Sequence, residues 1–311
     1  MVRAMSEAEA TPAELSVVVL AWNHLNLTKR CIASIRAHTD VPYELIIVDN
    51  GSVSEAAGWT EESADKAVLH DSNLGFAKGM NAGLAVATGG AVAFVNNDTE
   101  LPEAWASRLL ETLRSTGGRA GIVVPAVTSA GNQSTVRSAP SDRISPTLPF
   151  RDLPSGVVYV MDTEVMRALG GWNERYPIAS AEDLDLLFTV WSNVLEVILD
   201  ERVLVQHVGS ATADTQLRDK AKLLRDNRRM LVDRWADVED GAVPRLAGVS
   251  DERRSSRLEQ ARIAATWMRR AFVAEDRIAA RAAPSAATGS RSVGLIHRIQ
   301  RRLRRALRPD A

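Results

Sequence analysis

The sequence predicts an α/β fold in which a mainly parallel sheet is flanked by helices and followed by a helical C-terminal extension. Two observations lead to this class. From residue 15 to about 207, short β-branched runs alternate with amphipathic stretches of helical length, and after residue 212 the pattern is helical alone. The chain has 311 residues, 45% of them hydrophobic and 25% charged, so it can bury a substantial core.

Local patterns place the elements in order. Apolar runs predict strands over 16–22, 44–49, 67–70, 91–96 and 121–125. Helices are predicted over 25–38, 76–87 and 103–115, the last opened by a cap and first turn from Thr99, Leu101 and Pro102. A long surface loop is predicted over 126–155, which is rich in Ser, Thr, Pro and Gly. The later elements are a returning strand over 155–162, a helix over 163–169 stopped by Gly170 and Gly171, a helix over 181–191, and a strand pair over 195–205 with a tight turn near Asp200 and Glu201.

The C-terminal part is predicted to be helical over 215–235 and 251–281, with a flexible linker over 285–290. Residues 293–309 place apolar side chains at helical spacing, with six arginines before Pro309. A basic amphipathic helix of this kind suits an anionic membrane surface or an acidic partner. A solvated terminal helix explains the pattern equally well.

Charge and cysteine content exclude several classes of protein. The 38 Lys and Arg residues are balanced by 39 Asp and Glu residues, which argues against a nucleic-acid-binding protein. The single cysteine, Cys31, excludes an intramolecular disulfide and a cysteine-based zinc site, and its apolar neighbours predict a buried, inert thiol. No apolar run is long enough for a signal peptide or a membrane span, so we expect a cytoplasmic protein.

Polar clusters directly follow the first predicted strands, at the edge where an open parallel sheet binds ligands. Asp49 and Asn50, in the run Asp-Asn-Gly-Ser, can hydrogen-bond a nucleobase, although this run also suits an ordinary β-turn. The run Asn96-Asn97-Asp98-Thr99 offers hard oxygen ligands for Mg²⁺ or Mn²⁺ with a diphosphate. Asp98 or Thr99 can also cap the next helix, and the two roles are compatible.

Two further clusters lie later in the chain. Glu182, Asp183 and Asp185 begin a predicted helix, where the helix dipole offsets their mutual repulsion and one of them can act as a general base. An exposed acidic first turn is an equally good interpretation. His207 ends the last predicted strand, in line with the other clusters. The sequence has no G-x-G-x-x-G, P-loop or G-x-S-x-G motif, which argues against dehydrogenase, P-loop and hydrolase functions.

In this order, the clusters resemble the family 2 glycosyltransferases, an inverting family with the GT-A fold, whose sheet is Rossmann-like. The resemblance covers roughly residues 15–235 and is strongest to a bacterial branch that includes rhamnosyltransferase-like members. It rests on the segments SVVVLAWNHLNLTKRCIASI, ELIIVDNGS, NLGFAKGMNAGLAVATGG, FVNNDTELP, LGGWNERYPIASAEDLDL and VQHVGSAT.

The resemblance implies a nucleotide-sugar site and a divalent cation, Mn²⁺ or Mg²⁺. Asp98 ends the cation-binding motif, Asn97 stands where relatives often carry Asp, and His207 matches a histidine that often completes the cation site. The residues that the resemblance places at the nucleotide sugar are Leu20, Ala21, Asn23, Asp49, Asn50, Gly75, Lys78, Asn81, Asn97 and Asp98.

The family's catalytic motif corresponds to Glu182 and Asp183, with Asp183 as the base. Trp172 and Asp185 are expected to line the acceptor or sugar pocket, although a core position explains Trp172 equally well. The implied reaction moves a sugar from a UDP- or dTDP-sugar to a glycan, lipid-linked, peptide or natural-product acceptor by a single inverting displacement. A sugar-phosphate nucleotidyltransferase and a catalytically degenerate nucleotide-binding scaffold are the alternatives.

These expectations divide the chain into four parts. We expect a disordered N-terminus over 1–14, a GT-A transferase domain over 15–212, a helical extension over 213–284, and a linker with the basic helix over 285–311. We expect membrane contact only for the basic helix, at the anionic inner face of the membrane.

Overall fold

The computed structural model describes residues 13–128, 135–148, 154, 156–207 and 220–281. Its strands are β1 (Leu15–Ala21), β2 (Tyr43–Asp49), β3 (Lys66–Leu69), β4 (Ala91–Asn96), β5 (Thr99–Glu100), β6 (Ala120–Val127), β7 (Ile144–Thr147), β8 (Val158–Asp162) and β9 (Glu196–His207). Its helices are α1 (Leu25–His38), α2 (Ser54–Ser63), α3 (Phe76–Val86), α4 (Trp105–Ser115), α5 (Thr163–Ala168), α6 (Glu182–Ser192), α7 (Lys220–Ala236) and α8 (Asp251–Arg281), with a 3₁₀ turn at Asp240–Ala242.

The strands form one mixed sheet in the order β3-β2-β1-β4-β8-β6-β9-β5, and β7 also pairs with β9. Strands β1 to β4 run parallel, whereas β8 runs antiparallel to both β4 and β6. In this register Ala21 lies opposite Asp49 and Leu20 lies opposite Asn96. The carboxyl ends of β1, β2 and β4 therefore meet at one edge of the sheet.

Helices cover both faces of the sheet because successive strand side chains point to opposite sides. Val17 and Val19 pack with α1 and α4, whereas Val18 packs with α3, α5 and α6. A third apolar cluster joins α6 to the C-terminal helices α7 and α8. Within it Arg254 is fully buried, and its guanidinium pairs with Asp240 and donates to nearby carbonyls, which offsets the cost of burying its charge.

The α/β class with C-terminal helices is confirmed, and most predicted elements lie within two residues of their observed bounds. The predicted cap of α4 is wrong: Ala104, with φ of 55°, precedes the helix, and the Thr99 hydroxyl donates to the carbonyl of Asn96. Helix α2 was not predicted because its short polar sequence contains Gly58 and little periodicity.

Two other predictions are corrected near β9. Part of the predicted loop 126–155 is strand β7, which pairs antiparallel with β9. The predicted strand pair with a turn near Asp200 is one continuous strand with a bulge, since Pro125 lies opposite Asp200 and Ala126 opposite Leu204. The charged residues that suggested a turn are buried, and the Asp200 carboxylate pairs with Arg202.

Several predictions lie wholly or partly outside the described residues. They are the N-terminus up to residue 12, the start of the helix predicted at 215, the linker over 285–290 and the basic helix over 293–309. The four-part division of the chain stays a prediction. Cys31 is buried, and burial raises the pKa of its thiol to about 12, which confirms an inert side chain. Among the described helices, none is long and apolar enough to cross a membrane.

Candidate active site

The edge formed by the carboxyl ends of β1, β2 and β4 gathers the predicted clusters. The N–H of Asn96 donates to the carbonyl of Val157 at 3.0 Å, which sets the start of β8 beside the end of β4. A Cβ added to the preceding residue, Gly156, would lie 3.3 Å from Oδ2 of Asp183. The run that ends in Asp98 and the acidic start of α6 are therefore neighbours, although the sequence separates them widely.

Asp49 is placed to present an acceptor at this edge. Its Oδ1 accepts the N–H groups of Gly51 at 3.1 Å and Ser52 at 2.8 Å, which makes the predicted turn. Its Oδ2 is buried and has no hydrogen-bond partner among the described residues. A buried carboxylate oxygen without a donor is costly, so this atom is suited to accept a hydrogen bond from a bound base.

The neighbouring amides hold the loops of the site in place. Asn50 accepts from the N–H of Leu74 at 2.9 Å and donates to Asn73 at 3.0 Å. Asn23 accepts from the N–H of Val53 at 3.1 Å, which ties the turn after β1 to the turn after β2. Both side chains are thus engaged within the protein, and the backbone of Leu20 and Ala21 pairs with the end of β2.

The start of α3 forms the next wall of the site. Gly75 precedes the helix with φ of 91°, and an added Cβ would lie 2.8 Å from the backbone nitrogen of Ile178, so glycine is required there. Lys78 is exposed on the first turn of α3. Asn81 instead faces the segment after α5, where its side chain exchanges two hydrogen bonds with the backbone of Trp172.

Asp98 and His207 are brought together by the short β5–β9 ladder, in which Thr99 lies opposite His207. Nε2 of His207 is 3.3 Å from Oδ1 of Asp98. Asn97 is buried and donates to the hydroxyl of Thr28 at 3.0 Å. No group of three or more His, Cys, Asp or Glu side chains forms a cation site within the described residues. One carboxylate and one imidazole fit a cation whose other ligands are diphosphate oxygens and water.

Glu182 and Asp183 form the first turn of α6. Glu182 is 6% exposed, and its Oε2 has no partner among the described residues. Burial and the neighbouring Asp183 carboxylate raise the pKa of Glu182, and burial raises the pKa of Asp183. Raised carboxyl pKa values are typical of groups that exchange protons in catalysis.

The backbone immediately before this pair is strained. Ile178, Ser180 and Ala181 have φ values of 63°, 84° and 78°, in the left-handed region that non-glycine residues rarely adopt. Each such residue costs about 1–3 kcal/mol and persists only where its surroundings enforce it. No sequence signal predicted this strain, since the segment contains no glycine.

Tyr159 is a site residue that the sequence analysis missed. Its hydroxyl is buried without a partner among the described residues and lies 3.7 Å from the Cβ position of Gly156, the point that Asp183 also approaches. Burial raises the pKa of Tyr159, and the negative charge of Asp183 raises it further. A tyrosine in an apolar strand carries no local signal of such a position.

Trp172 and Asp185 are both buried and engaged by neighbouring side chains. Trp172 is 1% exposed and stacks on Tyr159, so the core interpretation describes its position. The Asp185 carboxylate is 2% exposed and accepts from Tyr176 and Trp235. Both residues border a cavity of about 300 Å³ whose wall does not include Asp98, Glu182 or Asp183. The acceptor or sugar role of Trp172 and Asp185 stays a prediction.

Comparison with solved structures shows the class of fold. The crystal structure of S. aureus TarS 1–349 matches with a TM-score of 0.57 and 15% identity, over 87% of this chain and 75% of that chain. The crystal structure of GalNAc-T7 with UDP, GalNAc and Mn²⁺ matches with a TM-score of 0.58 and 12% identity, over 96% of this chain and 57% of that chain. At such identities the likeness shows the fold alone, and that fold is GT-A.

The sequence comparisons then give the family. Residues 16–166 match the family model described as glycosyl transferase family 2. The uncharacterized glycosyltransferase alr2836 of Nostoc is 29% identical over 131 residues, which are 40% of either chain. The uncharacterized glycosyltransferase YibD of Escherichia coli is 34% identical over 92 residues, 28% of this chain and 27% of YibD. The chain therefore spans less than half the length of these relatives.

Residues 16–166 therefore form a domain of the glycosyl transferase family 2. The family and the GT-A fold expected from the sequence are confirmed. The rhamnosyltransferase-like branch stays a prediction.

Proposed function

We propose that the protein is a divalent-cation-dependent, inverting glycosyltransferase that uses a UDP- or dTDP-sugar. One observation carries this proposal: the pair of Asp98 and His207 and the base candidate Asp183 converge on the adjoining ends of β4 and β8. A cation that binds a diphosphate and a base that deprotonates an acceptor must lie on either side of one anomeric carbon. The shared edge supplies both groups.

The unpartnered Oδ2 of Asp49 supports the choice of nucleotide. Uracil and thymine each present an imide N–H donor between two carbonyl acceptors, whereas the corresponding cytosine nitrogen is an acceptor. If Oδ2 of Asp49 accepts from this ring nitrogen, it therefore favours UDP or dTDP over CDP. Lys78 is exposed on the first turn of α3, within the part of the site where a diphosphate would extend.

Asp98 and His207 would hold the cation, Mn²⁺ or Mg²⁺. When bound, the cation neutralises the charge that develops on the leaving diphosphate. Asp183 would take the proton from the acceptor while the nucleophilic atom of the acceptor attacks the anomeric carbon from the face opposite the diphosphate. Glu182 lies beside Asp183 in the same acidic turn. A single displacement of this kind inverts the configuration at the anomeric carbon.

The proposed acceptor is a glycan, a lipid-linked sugar, a peptide or a natural product, and the proposed location is the cytoplasm. The basic amphipathic pattern of residues 293–309 supports a further proposal of peripheral contact with an anionic membrane.

Calorimetric titration with UDP, dTDP, GDP, CDP and ADP, and with the triphosphates UTP and dTTP, tests the proposal with and without Mn²⁺. Nucleotide release from UDP- and dTDP-sugars is then measured. We expect Mn²⁺-dependent preference for UDP or dTDP and turnover that requires Asp183. Nucleotide binding without turnover would support a degenerate scaffold instead. Preference for a nucleoside triphosphate, with release of pyrophosphate from it, would support a nucleotidyltransferase.

A further inference from the structure

The strained segment 178–181 ends directly at the catalytic pair, so its conformation decides where the first turn of α6 begins. Three of its four residues have left-handed backbone conformations. Such a segment keeps its shape only where contacts from outside hold it, because its own residues favour other conformations. The contacts that hold it therefore bear on the position of Glu182 and Asp183.

One side chain supplies several of those contacts. Asn227 of α7 is fully buried, and its Nδ2 donates to the carbonyls of Pro177 at 3.1 Å, Ala179 at 2.9 Å and Ser180 at 3.1 Å. The Oδ1 atom of Asn227 is buried and has no partner among the described residues. The side chain thus acts at this position as a donor to three carbonyls within four residues of backbone.

The same helix also holds the start of α6. Nε1 of Trp235 donates to Oδ1 of Asp185 at 2.7 Å, and Arg234 pairs with the same oxygen at 2.9 Å. The N–H of Asp185 donates to the carbonyl of Ala181 at 2.9 Å. Helix α7 therefore contacts the backbone before the catalytic pair and the side chain of Asp185 after it, although α7 lies outside the residues that match the family model.

We propose that Asn227 is a positioning residue, which holds the strained 178–181 backbone from α7 and thereby aims Glu182 and Asp183 at the reaction site. The proposal rests on the proposed function, in which Asp183 is the base. It assigns to the C-terminal extension a direct part in arranging the active site. Removal of the Asn227 donor takes a hydrogen bond from the carbonyls of Ala179 and Ser180 and leaves that of Pro177 with the N–H of Ala179 alone, which lets the segment relax toward ordinary backbone conformations.

The test compares Asn227→Ala and Asn227→Leu with Asn193→Ala as a matched control. Leu is close to Asn in size and donates no hydrogen bond. Asn193 is also a buried asparagine, and it holds the opposite end of α6 by donating to Thr189 and Pro244 at 2.9 and 3.0 Å. Its loss is expected to lower stability without moving the catalytic pair.

Two readouts separate positioning from stability. Well below the unfolding temperature, we expect both Asn227 variants to lower kcat for nucleotide release from the UDP- or dTDP-sugar at least tenfold, with KM and the Kd for UDP changed less than threefold. Amide hydrogen exchange should accelerate at least tenfold within 178–184. Asn193→Ala should keep kcat within threefold and accelerate exchange only around 190–195 and the segment that it bonds.

The exchange readout needs no substrate and therefore decides the inference by itself. Unchanged exchange over 178–184 in both Asn227 variants, or equal acceleration there in Asn193→Ala, would overturn it. So would normal kcat in both Asn227 variants while Asp183→Asn is inactive. If Asp183→Asn turns over donor as fast as the unmodified protein, the proposed function fails instead, whatever the exchange rates are.

Discussion

Nε2 of His207 lies 3.3 Å from Oδ1 of Asp98 because the ladder between β5 and β9 sets Thr99 opposite His207. The two residues of β5 immediately follow Asp98. Main-chain pairing between β5 and β9 therefore brings His207, at the end of β9, close to the carboxylate of Asp98. An imidazole nitrogen and a carboxylate oxygen at this separation can share one cation.

We expect Asp98→Ala to abolish the enhancement of UDP binding by Mn²⁺, and His207→Ala to weaken it about tenfold, the scale of one charge-assisted contact. Titration calorimetry with UDP at several Mn²⁺ concentrations measures both effects. Glu259→Ala, which removes an exposed carboxylate on α8, serves as the control and should leave the Mn²⁺ dependence unaltered. Unchanged Mn²⁺ dependence in Asp98→Ala would remove that residue from the cation site.

Asp183→Asn should bind the donor normally and transfer sugar at least ~100-fold more slowly, within the usual range for loss of a general base. The amide keeps the size of the side chain but cannot accept a proton. Because burial raises the pKa of Asp183, kcat of the unmodified enzyme should still be rising with pH above the usual range of a carboxyl group. A pH profile that is flat there would contradict the assignment of Asp183 as the titrating base.

Glu182→Gln should stabilise the protein progressively as the pH rises. Burial raises the pKa of Glu182 from 4.5 to about 8. The contribution of protonated Glu182 to the free energy of unfolding is therefore fully present below about pH 4.5. It is lost as the pH rises through about 8, because the unfolded chain ionises this group at a lower pH than the folded chain does. Glutamine never ionises and escapes this loss. Thermal unfolding from pH 4.5 to 8.5 should show a widening advantage in Tm for the variant, about 2–4 °C for each kcal/mol.

Glu61→Gln is the control for that experiment, since Glu61 is exposed on α2. Its Tm difference from the unmodified protein should not vary with pH. If the Tm difference between Glu182→Gln and the unmodified protein is also independent of pH, then the pKa of Glu182 in the folded protein lies in the usual range of a carboxyl group.

Asp49→Asn should change the choice of nucleobase. Oδ1 would continue to accept from Gly51 and Ser52, while an amide donor would replace the unpartnered Oδ2. We expect UDP affinity to fall about tenfold because two N–H donors would then face each other, and CDP affinity to fall less or to rise. Competition between UDP and CDP in one assay measures the ratio, and an unaltered ratio would place the base elsewhere.

Truncation after Ala286 should reduce binding to anionic vesicles if the basic helix over 293–309 contacts the membrane. Cosedimentation with phosphatidylserine-containing vesicles at about 0.05 and 0.5 M salt tests this, since screening weakens charge attraction. The full chain should bind at low salt only, and vesicles of phosphatidylcholine alone should not retain it. Equal binding of both proteins would leave the helix without a membrane role.

The sequence by itself determined the class of fold and most of its elements. Side-chain periodicity is a local property, so β4 was predicted at its observed bounds, and β2 and α3 within one residue of theirs. The polar runs after β2 and β4 were predicted to share an edge because parallel strands end together. The same residues that carried these predictions carried the resemblance to the family.

Only the tertiary structure decided how individual side chains are used. Asn50 and Asn81 were expected at the nucleotide sugar, yet both are engaged in hydrogen bonds to segments far along the chain. Trp172 and Asp185 are buried by α3, α7 and β8, and Asn227 reaches three carbonyls that precede α6. These outcomes depend on contacts between residues distant in sequence, and local patterns carry no information about which distant groups meet.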